Sequence, residues 1–202
     1  MKLQLPLLAL IVGLSCQGLA YFSFMDTGEI KAKGEYRVFG EAQVLFDDPN
    51  GMNLNGRFAT GLSEESEMQF EAGVGSIDYY LAAFWKWVPF PDTFDQPAIG
   101  LRSGLTFADV AGYSTYGFNV TPFISKLFDT SIGGFSPFAG LQIGLQRNTI
   151  DSFSTMQFVL GTEWKPNEWD FRELKDFSFL VEYGMDIDGA FDYLSLGASY
   201  NF

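Results

Sequence analysis

Three ionisable residues on one predicted hairpin are the first place to look for chemistry. Glu67 and Glu71 lie four positions apart on one face of a strand, and Lys86 lies on the next strand. Close carboxylates, or a carboxylate beside an amine, can share a proton in general acid–base work. The chain contains no histidine. It therefore lacks the commonest general base, pH switch and nitrogen ligand for metals. A second reading needs no reaction. Buried acids require cationic partners, and Arg37, Glu41, Arg57, Glu67, Glu71, Lys86, Arg102, Glu163 and Glu182 all fall on the polar faces of alternating strands. We expect these residues to form an internal charge network. No catalytic residue, cofactor or metal ligand is assigned. "DIDG" at Asp186 to Gly189 offers the oxygen ligands that calcium prefers. It lacks the spacing of a twelve-residue calcium loop and reads as a solvated turn.

Those residues need strands to position them, and the composition favours strands. The 202 residues suit one domain. They include 22 Phe and 22 Gly, with 17% aromatic and only 18% charged residues. Many rings with a moderate average hydropathy imply alternation rather than apolar blocks. A net charge of −13 repels phosphates and argues against a nucleic-acid partner.

The first twenty residues have the form of a secretory signal. Lys2 precedes an apolar run from Leu3 to Leu14, and "GLA" ends at Ala20 with small residues at the cleavage positions. The run is too short to anchor in a membrane. Cys16 follows "GLS" and suggests a lipoprotein signal, but Gly13 stands where such signals carry Leu, so cleavage after Ala20 is preferred. The only cysteine then leaves with the signal. The expected domains are a cleaved signal over 1–20 and one barrel domain over 21–202.

Period-two alternation recurs almost to the end. It predicts strands over Gly34 to Phe46, Met52 to Leu62, Ser66 to Gly75, Tyr79 to Val88, Pro97 to Phe107, Tyr113 to Ser125, Phe135 to Gln146, Phe153 to Trp164, Asp176 to Asp186 and Tyr193 to Phe202. Clusters of Pro, Gly, Asn and Asp mark the turns between them. "KPNEWDFRELKD" at Lys165 to Asp176 is predicted to hold a short helical turn.

Such strands serve two opposite architectures. A soluble sandwich or barrel turns its apolar face to a core; a membrane barrel turns it to lipid. Three features favour the membrane. The polar faces are rich in glycine and charge, so small residues would leave room for long charged side chains. Aromatics gather at strand ends: Tyr36, Trp85, Trp87, Phe135, Trp164, Phe177, Tyr200 and Phe202 near one rim, Phe46, Tyr79, Phe107, Tyr116 and Phe153 near the other. Such belts suit the headgroup zones. Finally, Ser195, Gly197, Tyr200 and Phe202 follow the pattern polar-x-Gly-x-x-aromatic-x-aromatic to the last residue. This ending resembles the C-terminal assembly signal of small bacterial outer-membrane β-barrel proteins.

The resemblance implies a closed, antiparallel, up-and-down transmembrane β-barrel of about ten strands, with eight as the next count. It implies the outer membrane as location, and membrane lipid and the barrel-assembly machinery as partners. Known enzymes of this class rely on a catalytic histidine, so no enzymatic activity is expected. The expected function is a barrel with a lumen largely plugged by side chains, in a structural or surface-interaction role. The rivals are a narrow channel for small solutes and a soluble periplasmic barrel holding an apolar ligand. With both termini in the periplasm, the longest connections fall on the periplasmic side, whereas bacterial barrels usually place long loops outside.

Overall fold

A computed structural model describes residues 23–46, 50–110, 113–148, 151–167 and 174–202. The predicted signal lies outside them, as does half of the Lys165 to Asp176 connection, residues 168–173.

The alternating segments become long strands that pair with their chain neighbours. In order they are β1 (Tyr36–Leu45), β2 (Gly51–Ser63), β3 (Ser66–Gly75), β4 (Tyr79–Phe90), β5 (Ala98–Val110) and β6 (Tyr113–Ser125). Then follow β7 (Phe128–Thr130), β8 (Gly133–Asn148), β9 (Ser152–Pro166), β10 (Phe177–Asp188) and β11 (Tyr193–Asn201). Every pairing between these strands is antiparallel. β6 pairs with β8, and β11 returns to β1 from Arg37↔Asn201 to Leu45↔Tyr193. The sheet closes on itself with ten staves. The three-residue β7 pairs only with the start of β8 and adds a flap at the rim that alternation could not reveal.

The termini of the barrel share one rim. The Tyr36 N–H donates to the Phe202 carbonyl at 2.9 Å, and the Phe202 N–H donates back at 3.0 Å. The connections after β4, β6 and β9 reach this terminal rim and are the long ones; those at the far rim are short.

Burial is inverted relative to a soluble protein. Leu105 and Leu145 are 68% and 63% exposed, whereas Lys86 and Glu67 are fully buried. Outward residues on other staves, such as Leu54, Phe70, Leu81, Phe118, Leu160 and Leu196, continue the apolar belt. Soluble monomers rarely expose contiguous apolar patches larger than a few hundred Å², and here large apolar side chains face outward from every stave. Closure also satisfies every edge, which hydrocarbon requires.

Aromatic belts flank the band. At the terminal rim Trp85 stacks near Trp87 (6.0 Å) and Phe135 near Trp164 (6.3 Å), and Phe177 lies tilted 5.0 Å from Tyr200. At the far rim Phe107 contacts Tyr79 and Tyr116 at 5.8 and 5.0 Å. Phe153 departs from expectation. It shares the parity of buried Thr155 and packs against the interior cluster, so it is not a belt residue.

The inward glycines also act differently from the expectation. Their space goes to aromatic rings rather than to charged side chains alone. Gly104 lies opposite Phe84, Gly73 opposite Tyr80, Gly161 opposite Phe138, and Gly184 opposite Tyr193. A Cβ on Gly161 would stand 2.3 Å from the Phe138 ring and 2.5 Å from the Val181 carbonyl oxygen. Gly161→Val should therefore destabilise the barrel by about 1–3 kcal/mol through overpacking. In gel electrophoresis its compact band should convert to the extended form at lower temperature. Gly40 supplies the control, because a Cβ added there would meet nothing within 4 Å. Gly40→Ala should leave that temperature unchanged.

Candidate functional site in the barrel lumen

The staves alternate, so each contributes inward side chains at fixed levels. The predicted charged residues meet there. Glu71 lies directly across from Arg57 in the β2–β3 register, and Glu67 lies across from Lys86 in β3–β4. Glu71 is 2.6 Å from the Arg57 Nε and 3.0 Å from Arg102. Glu67 is 3.2 Å from both Lys86 and Arg37. Lys86 and Arg102 face each other across β4–β5. Like charges directly opposite repel, and here acids on both sides separate them. Arg102 also stacks over the Phe84 ring at 3.9 Å, and Arg57 lies 5.3 Å from Phe39.

Three predicted residues sit apart from these pairs. Glu41 accepts hydrogen bonds from Ser195 and Ser23, both 2.6 Å. Glu182 accepts from the Tyr193 hydroxyl. Glu163 lies 3.9 Å from Lys165. Glu67 and Glu71, the candidates for paired-carboxylate chemistry, are both engaged by cations.

Residues 23–33 are the feature that alternation missed. From Ser23 to Lys31 the chain ahead of β1 runs inside the barrel, and Ser23 to Thr27 are buried. From the terminal rim inward, Glu35 closes a turn on Ala32, and Lys33 forms a single parallel bridge to Gly61. Deeper in, the Lys31 N–H donates to Glu67. The Asp26 carboxylate then occupies the gap among the cations, 2.9 Å from Lys86 and 3.2 Å from Arg37, with Gln69 donating to it. Arg57 lies 4.0 Å away.

Residues Phe24 and Met25 complete the arrangement. The Phe24 N–H donates to Glu182 at 2.8 Å, and the Met25 N–H donates to the same carboxylate. Met25 has φ of 36°, a left-handed conformation that costs a non-glycine residue energy and is held by its surroundings. Consecutive amides turned toward one anion fit this local geometry. The Phe24 ring packs 4.8 Å from Phe123 and 5.6 Å from Phe138.

At the terminal mouth Glu29 is bonded to Lys31 at 3.0 Å and to Lys165. Burial raises the Glu29 carboxyl, but Lys165, Lys31 and Arg37 outweigh it and hold the group at about 2. A cavity of about 280 Å³ remains here, bordered by Gly28, Glu29, Asp92, Ser125 and Lys165. The far end of the lumen is filled by buried Leu45, Ile77, Tyr80, Phe191 and Tyr193.

The sequence carried two hints of this occupant. Tyr80 and Phe84 sit on the same strand face as Lys86, and a partly apolar lumen wall calls for an apolar filling. The length of the stretch before β1 is the other hint.

Elsewhere the residues singled out from sequence have simpler surroundings. Asp186 accepts from the Ala190 N–H at 2.8 Å, and Asp192 accepts from the Asp186 N–H at 2.7 Å. These carboxylates cap their own turn. Among the described residues no His, Cys, Asp and Glu cluster is arranged to hold a metal ion. On β11, Ser195 and Ser199 face the lumen, and Gly197 makes room for the Phe39 ring. Tyr200 and Phe202 face outward and lie 6.1 Å apart.

A closed antiparallel barrel with apolar staves outward and ion pairs within is a transmembrane β-barrel. Among solved structures, the chain resembles the COG4313 outer membrane channel from Pseudomonas putida F1. The two share 10% identity over 88% of this chain and 99% of that one, with a TM-score of 0.51. The N-terminal barrel domain of Pseudomonas aeruginosa OprF (10% identity, 85% and 100% coverage, TM-score 0.38) and Yersinia pestis Ail (14%, 84% and 100%, TM-score 0.39) are also found. No family model matches the chain, and a search of curated proteins finds no match.

Proposed function

We propose that this chain is an integral barrel of the bacterial outer membrane whose lumen is closed by its own N-terminal segment, and that its role is structural or surface-interacting. The observation that carries the reading is Asp26. A carboxylate from outside the staves sits among Arg37, Lys86 and Arg57 at the middle of the lumen, where buried charges demand partners. Cleavage after Ala20 would free the segment to enter the barrel. Ser195, Gly197, Tyr200 and Phe202 are the assembly signal in this reading. They direct the unfolded chain to the barrel-assembly machinery.

Membrane residence has a direct test. The protein should stay in the membrane fraction through carbonate and urea washes, leave only with detergent, and migrate faster unheated than heated. Release by carbonate would instead support a soluble barrel with an apolar interior ligand.

A conducting role is the competing reading. The Pseudomonas putida neighbour is described as an outer membrane channel. For this chain to conduct, residues 23–33 would have to leave the lumen.

A further inference from the structure

We propose that the lumen is a peptide-recognition site, and that residues Phe24 to Thr27 are its tethered ligand. This rests on the reading of a lumen closed by the N-terminal segment. The ligand class is a short peptide with an aromatic side chain, a left-handed turn at the next residue and a carboxylate at the one after.

The staves hold the segment as a receptor holds a peptide. Apart from the single bridge at Lys33, its contacts run through stave side chains, and the ladder closes without its backbone. Backbone groups are read on both sides. Glu182 accepts two successive N–H groups. Arg102 donates to the Phe24 carbonyl at 2.7 Å, and Arg57 donates to the Met25 carbonyl at 3.1 Å. Two side chains are then read by separate pockets. The Phe24 ring lies between Phe123 and Phe138, with the Arg102 guanidinium 5.5 Å from its centre. The Asp26 carboxylate meets Lys86 and Arg37. An amide donor pair, a carbonyl acceptor pair, a ring and an anion at fixed spacing together discriminate one peptide from another.

The link between ligand and receptor is accessible. Ala32, Lys33, Gly34 and Glu35 are exposed at the terminal rim. A specific protease site placed at Lys33–Gly34 of the full chain would cut the tether after folding. In a second version that also carries Asp26→Lys, the resident segment is weakened and should leave once cut. A labelled synthetic peptide of residues 23–33 should then bind the cut Asp26→Lys barrel one to one. Peptides with Phe24→Ala or Asp26→Asn should compete at least about tenfold less well, a loss of roughly 1.4 kcal/mol or more, and the uncut wild type should bind none.

Absence of peptide binding to the cut Asp26→Lys barrel, with the compact unheated band showing it folded, overturns the proposal. So does equal competition by the altered peptides. Failure of the underlying reading looks different: the uncut wild type would itself conduct ions in a planar bilayer.

Discussion

Asp26→Lys should open the barrel. The substitution removes the carboxylate that Lys86 and Arg37 contact at 2.9 and 3.2 Å and adds a cation to a level that already holds Arg57. Breaking a buried pair by removing one partner costs about 3–5 kcal/mol. That cost falls on the state with the segment inside, because the staves pair without it. It corresponds to a rise of roughly two to four orders of magnitude in the population with the segment withdrawn. Purified Asp26→Lys protein in planar bilayers should show frequent ion-conducting openings. Asp26→Asn keeps the shape and loses the charge, so its openings should be intermediate. A silent Asp26→Lys barrel, folded by its unheated migration, would mean that other contacts hold the segment and that Asp26 is not its key.

Deleting Phe202 should have its large effect on assembly. In the folded barrel Phe202 exchanges two backbone hydrogen bonds with Tyr36 and packs 5.7 Å from that ring. Hydrogen bonds of this kind contribute about 0.5–1.5 kcal/mol each, and the aromatic contact adds about 0.5–1.5 kcal/mol. Both lie at the end of one seam, and the Phe202 side chain is 60% exposed. Barrels refolded in detergent should therefore unfold only a few degrees earlier without it. In cells the same deletion should reduce the protein accumulated in the outer membrane by roughly tenfold, if the machinery reads the final strand. Equal accumulation of truncated and full-length protein would show that Phe202 is a rim residue and nothing more.

The staves were legible because their side chains alternate with a period of two. Leu194, Leu196 and Tyr200 face outward and Ser195 and Ser199 inward, as the last strand's pattern requires. Pairing partners were less legible. That Glu71 meets Arg57, or that Gly161 shelters Phe138, depends on the stagger between strands, which no single strand carries. Phe153 was misplaced because its aromatic character was weighed above its parity. Residues 23–33 were missed for a different reason. They make no ladder and bury single residues in separate pockets, so they show neither helical nor strand periodicity. Asp26 looks like a turn residue until the staves are brought round it.

The measurement closest to the central claim is the conductance of the unmodified protein. Purified full-length barrel, confirmed as folded by its faster unheated migration, would be reconstituted in a planar bilayer at moderate salt. With the segment seated among Glu182, Arg102, Lys86 and Arg37, the membrane current should stay at baseline across the applied voltages. Steady, reproducible openings from that same wild-type protein would contradict a lumen closed by its own N-terminus.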